Sequence, residues 1–399
     1  MRKYYSFPLL FFLLAAILGL FLRFQFIRPT PGIRYTYFLH SHSHIMFLGW
    51  VFNVLYLSFI GYHIPEKQRH GYLTFFLWLQ VPVAAMMISF PIQGYGLYSI
   101  IFSTVHTLAV MVFTFVFYSR TKDQKTVSLW FAKMGLFFFF LSTAGPFSLG
   151  YLMSHGLGQT HWYNFSIYYY LHFQYNGFFL FGVLSLFYQM LERKQIRPDA
   201  RKALVFGKRM AVACVLTYPL SILFARPGLA FNAIGAAGAL VQLIAIGLFL
   251  KDLRPLLTSI CSRFLRSSRF YLTVVAAAML LKALLQLASA EPGIAELAYH
   301  LRPVVIAYLH LVLIGVITLS MLVWFLETKL VNESLARKAM AVLLVGFAGS
   351  EMALVVSPWW ANAPASVTIF VFSAFLPAGI FIFYRAFLKG NPDKSQHFH

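Results

Sequence analysis

Long apolar runs separated by short polar breaks fill almost the whole chain. A hydrocarbon core about 30 Å thick takes roughly 20 apolar residues in helical geometry. About twelve runs meet that length, near 5–27, 37–62, 71–91, 95–118, 130–152, 165–191, 204–224, 230–250, 270–290, 303–326, 338–357 and 364–388. The pattern predicts an all-α polytopic membrane protein. The longest breaks, around 192–203 and 251–269, are basic connectors too short for a soluble domain, so one bundle is expected over 1–389, followed by a polar tail over 390–399. The first run, Tyr5 to Leu22, lacks a small-residue cleavage site and continues through Arg23 into a second run, so it reads as a span and not as a cleaved signal.

Composition supports the same class. Only 11% of residues are charged, against about 25% in soluble domains. The formal net charge of +21 fits either nucleic acid or an anionic membrane face, and its distribution decides between them. With the N-terminus inside, most Lys and Arg fall in cytoplasmic segments, and the outer loops keep only Arg23, Arg28, Arg34, Arg226 and Arg302. That is the positive-inside pattern. Both termini are therefore expected in the cytoplasm, the partner is a lipid bilayer, and no nucleic acid is implied. Two cysteines, Cys214 and Cys261, exclude a disulfide framework, a thiolate cluster and covalent haem attachment through Cys-x-x-Cys-His.

Polar chemistry inside the spans is concentrated in histidine: His40, His42 and His44 on span 2, His106 on span 4, His172 on span 6 and His310 on span 10. All four spans run from outside to inside. His44, His172 and His310 lie roughly 10 Å below the outer surface and His106 roughly 16 Å. Imidazole at such depth must find a partner, and neutral imidazole is a common metal ligand. His44, His172 and His310 are each followed five residues later by glycine, Gly49, Gly177 and Gly315, and are spaced 128 and 138 residues apart. Tyr170-Leu171-His172 and Tyr308-Leu309-His310 repeat one triplet, with Phe38-Leu39-His40 close to it. This recurrence predicts three four-helix arcs, each with histidine on its second helix.

These residues resemble the catalytic subunit I of haem-copper oxidases and nitric oxide reductases. His42-Ser43-His44 through Gly49-Trp50 is similar to the span-2 signature of the short bacterial branch, His172 through Gly177-Phe178-Phe179-Leu180 to span 6, and Tyr308-Leu309-His310 through Gly315 to span 10. The resemblance implies a non-covalent b-type haem held between His44 and His310, with His40, one turn nearer the surface, as the fallback ligand and His42 on the opposite helix face. It implies a second metal or gas site, for copper or non-haem iron, at His172, with Tyr308 standing where the family has a histidine, His106 as a substitute ligand, and no histidine on span 7 between Ala203 and Phe224. Arg28 and Arg34 are expected to neutralise haem propionates. Function follows as electron transfer, or redox handling or sensing of oxygen or nitric oxide, in a bacterial inner membrane, with electrons from quinol or a separate donor protein. If an enzyme, the chain is a haem-dependent oxidoreductase. The rival reading is a cofactor-free twelve-span transporter or assembly factor on the same fold.

Two charges remain inside spans. Lys282 and Glu351 share a depth and are expected either to pair across spans 9 and 11 or to mark a proton path. Glu192 and Glu327 are expected to be solvated at span ends, His63 to reach the headgroups, and Phe137 to Phe140 to face lipid. His155, His161 and His300 are expected at the surface.

Overall fold

The computed structural model describes residues 1–360 and 364–390; the expected tail beyond Gly390, with His397 and His399, lies outside the described residues. Helix is the only regular structure among them, as a bilayer requires of a chain that must satisfy its backbone internally. Among the described residues, eleven helices are long and apolar enough to cross a membrane: Arg2–Phe24, Tyr35–His63, Glu66–Gln93, Leu97–Arg120, Val127–Ser154, Ala200–Ala225, Leu229–Arg263, Arg266–Ala288, Arg302–Glu327, Glu333–Val356 and Pro364–Leu388. The expected sixth span is continuous helix over 161–193. It falls short on composition because Tyr168, Tyr169, Tyr170, His172, Gln174 and Asn176 occupy its middle.

The chain forms two compact units. One comprises Met1–Asp123 and the described residues from Met321 onward; the other is Gln124–Ser320. In the first, Phe12 stacks on Trp50 at 4.3 Å, and Tyr5 packs on Trp324 and Phe325. Spans 2 and 4 run in parallel there, meeting through Phe52 and His106, Tyr56 and Phe113, and Phe59 and Phe117 in matching order. In the second, Phe131 stacks on Tyr188 at 4.8 Å and Phe206 on Phe249 at 4.4 Å.

The repeat seen in the sequence has a backbone counterpart. Three segments leave α geometry for π-helix: Ile45–Phe52, Phe173–Phe179 and Leu311–Thr318. Each begins at the residue after His44, His172 or His310 and contains the recurrent glycine. π-Helical turns are rare and gather at functional sites. In each case the preceding span packs against the π segment. A Cβ on Gly49 would meet Phe11 Cβ at 2.8 Å, and one on Gly177 would meet Phe138 Cβ at 2.6 Å. At these two positions glycine is the condition of close helix approach.

Several peripheral expectations change. Phe137 and Phe140 are exposed toward lipid, but Phe138 and Phe139 are buried, because neighbours in a helix point about 100° apart. His63 is buried and meets the edge of Phe117. Glu192 caps span 5, accepting from Ser128 N at 3.0 Å and Ser128 Oγ at 2.5 Å.

Candidate functional site

Three histidines sit on two turns of span 2, and the structure gives each a different surrounding. The Nδ1–H of His44 donates to the carbonyl of His40 at 2.9 Å. A carbonyl accepts only, so Nδ1 carries the proton and Nε2 keeps its lone pair. This is how a ligating histidine is usually set by its outer hydrogen bond. The ring lies against Phe90 at 4.3 Å, with Tyr95 beyond at 5.8 Å. His40 packs its own ring on Tyr95 at 4.5 Å. His42 points the other way: its Nδ1 donates to the carbonyl of Ala15 on span 1 at 2.7 Å, in the space that the absent side chain of Gly19 leaves free. It binds spans 1 and 2 together.

Near this group, His106 is fully buried, and neither ring nitrogen has a hydrogen-bond partner among the described residues. It lies within electrostatic range of His44 and meets Phe52, of the π segment behind His44, edge to face at 5.2 Å. Because spans 2 and 4 are parallel, that contact sets His106 deeper than His44.

Arg28 and Arg34 are exposed. The Arg34 guanidinium lies over the ring of Tyr37 and donates to its hydroxyl at 2.7 Å. Glu351 accepts from Ser350 Oγ at 3.0 Å and has Arg23 as a charged neighbour, both in the first unit. Lys282 belongs to the second unit, where its neighbours are Cys214 and His172. Each of these two charges thus has company within its own unit.

His172 is also buried, but its nitrogens are occupied. Nε2–H donates to the carbonyl of Cys214 on span 7 at 2.7 Å. Nδ1 receives the Asn176 amide and the Ser221 hydroxyl, both at 3.2 Å. The cause lies in span 7. Its α-helix stops at Leu216 and continues as a 3-10 turn, Tyr218–Ala225, with Pro219 near its start. The last four carbonyls of an α-helix lack intrahelical donors, and in a bilayer they must be satisfied by side chains. His172 and Thr217 Oγ1, at 3.3 Å, serve Cys214. Tyr308, half-buried on span 10, has Tyr175 as its neighbour. His310 ends the helix Arg302–His310, half-buried, directly before its π segment.

Sequence reading missed Asn176, Ser221 and the Cys214 carbonyl. Pro219 was the available signal, since a proline inside a span ends α geometry and leaves carbonyls of the preceding turn for another helix to answer. It also missed the buried pair Asn53 and Gln80, in which Asn53 Nδ2 donates to Gln80 Oε1 at 2.7 Å and to the Gly49 carbonyl of the π segment at 2.9 Å.

Taken together, the helices and the histidine-led π segments define a polytopic membrane protein with buried histidines at recurrent positions. No family model matches the chain, and no curated protein matches its sequence. Its fold, however, is that of a haem-copper oxidase: a cryo-EM structure of a haem-copper terminal oxidase dimer superposes with a TM-score of 0.67 at 10% identity, covering 99% of this chain and 83% of that one. At that identity the likeness is one of architecture.

Proposed function

We propose that this chain is a haem-binding protein of a bacterial inner membrane, with both termini cytoplasmic, working in electron transfer or in redox handling or sensing of oxygen or nitric oxide. The observation that carries the reading is the fixed tautomer of His44: Nδ1–H is held by the His40 carbonyl and Nε2 is left as a ligating nitrogen. The oxidase-like fold agrees with it, and the site, not the fold, carries the reading. His44 would hold the iron through Nε2, and His310 is its counterpart by the sequence resemblance. His40 stays the fallback. His42 does not fit, because its whole ring, Nε2 included, is turned against span 1 beside Gly19. A bound haem supplies one-electron chemistry, and the protein residues set its position and exclude water. Phe90 and Tyr95 hold the His44 ring in place. Electrons would come from quinol or a separate donor protein.

The test is a dithionite-reduced minus oxidised spectrum of protein purified from haem-replete cells. A six-coordinate low-spin b-type spectrum is expected, lost in His44→Ala and His310→Ala and kept in His42→Ala. A folded, haem-free wild type overturns the proposal and leaves the transporter or assembly-factor reading in its place.

A further inference from the structure

The resemblance implies a copper or non-haem iron ion at His172, and the residues present do not fit one. A metal takes the lone pair of an imidazole nitrogen. In His172, Nε2 carries a proton donated to Cys214, and the Nδ1 lone pair receives Asn176 and Ser221. Span 7 contributes a backbone carbonyl where the family has histidines. The charge is also wrong for a cation, because Lys282 reaches into this cluster from span 9.

Lys282 is 2% exposed and makes no hydrogen bond among the described residues; its electrostatic neighbours are Cys214 and His172. These two come from spans 7 and 6, and beyond them Tyr175 adjoins Cys214 and Ser221, and Tyr308 adjoins Tyr175. None is a carboxylate. An ionisable side chain buried in a membrane and lacking a protein partner marks a ligand site or an ion path, and a buried ammonium without a counter-charge is strongly unfavourable. The hydroxyls of Ser221 and Tyr175 are spent on each other and on His172, so the positive character of the cluster lies on the amine. Such a set suits a small monovalent anion, whereas a polyvalent one would cost too much to dehydrate.

We propose that the cluster around Lys282 binds a small monovalent anion, with the lysine ammonium supplying the positive charge that a metal ion supplies in the fold's oxidases, and that it holds no metal. The proposal is independent of haem at His44.

The test uses the full chain in lipid nanodiscs, with azide as probe. Metal analysis is expected to show neither copper nor non-haem iron in stoichiometric amount. Infrared titration is expected to show a saturable azide antisymmetric-stretch band with no Soret shift, since azide at iron would move the Soret. Lys282→Gln should weaken azide binding by about tenfold or more, the usual worth of a hydrogen bond to a charged group, while Lys282→Arg retains it; unchanged melting of both variants shows that they fold. One copper or non-haem iron per chain, no azide band in the wild type, or equal binding in Lys282→Gln overturns the proposal. A haem-free wild type that still binds azide overturns the His44 reading and leaves this one standing.

Discussion

Replacing Gly177 with alanine adds one methyl group at the closest approach of spans 5 and 6. An added Cβ would stand 2.6 Å from Phe138 Cβ and 2.7 Å from its Cγ, where ordinary contact begins at 3.4 Å. Both opposing atoms are the root of the side chain, so no rotamer change of Phe138 relieves the overlap, and the helices must separate. Overpacking of this kind costs about 1–3 kcal/mol. The separation also acts on the π segment Phe173–Phe179 and on Asn176 within it, so His172 loses part of its hold on span 7. Thermal unfolding in detergent, followed by near-UV circular dichroism, should show a lower melting temperature for Gly177→Ala and for Gly49→Ala, which faces Phe11 in the same way. Truncating Phe138 to alanine keeps its Cβ and should not rescue Gly177→Ala. An unchanged melting temperature in both glycine variants, or full rescue by Phe138→Ala, would refute the argument that glycine sets the helix spacing.

His42→Ala should keep any low-spin haem spectrum yet melt earlier, by about 1–3 kcal/mol, because the Ala15 carbonyl loses its donor inside the bundle; equal melting temperatures would remove His42 from the span 1–2 contact. Asn53→Leu should destabilise by a similar amount, about 1–3 kcal/mol, by stripping Gln80 and the Gly49 carbonyl of their partner, and the double variant Asn53→Leu with Gln80→Leu should lose less than the two single losses added together in a double-mutant cycle. Glu291 caps the short helix Pro292–His300 by accepting from Ile294 N at 2.7 Å, and hydrogen bonds from the Gly293 and Ile294 amides hold its carboxyl below the usual range. A lowered folded value means the cap is present at neutral pH and fades as pH falls through that value. Hydrogen exchange at Ile294 should therefore be faster in Glu291→Ala than in the wild type at neutral pH, with the difference closing in acid; a difference constant with pH would dismiss the carboxylate cap.

Hydropathy located the eleven helices that qualify as spans among the described residues, because bilayer thickness constrains length directly; the helix over 161–193, where His172, Gln174 and Asn176 are buried, does not qualify on composition. The spacing of His44, His172 and His310 carried real structural information, since a π segment follows each. What one-dimensional depth could not supply was azimuth. It set His172 level with His44, yet the two histidines present opposite hydrogen-bonding faces to their surroundings: His44 donates through Nδ1 and His172 through Nε2. Rotational placement depends on packing against other helices, which hydropathy does not record. The role of His172 was hidden for a further reason: its partner is a main-chain carbonyl, and a carbonyl has no letter in a sequence.

That carbonyl has a consequence for biogenesis. Span 7 carries a break before Pro219, and the Cys214 oxygen freed there is answered by a residue of span 6. Membrane insertion proceeds from the N-terminus, so span 6 is already in the bilayer when span 7 arrives. The chain supplies its own receptor for a helix that would be poorly tolerated in lipid alone, and the order of synthesis becomes part of how the interior is assembled.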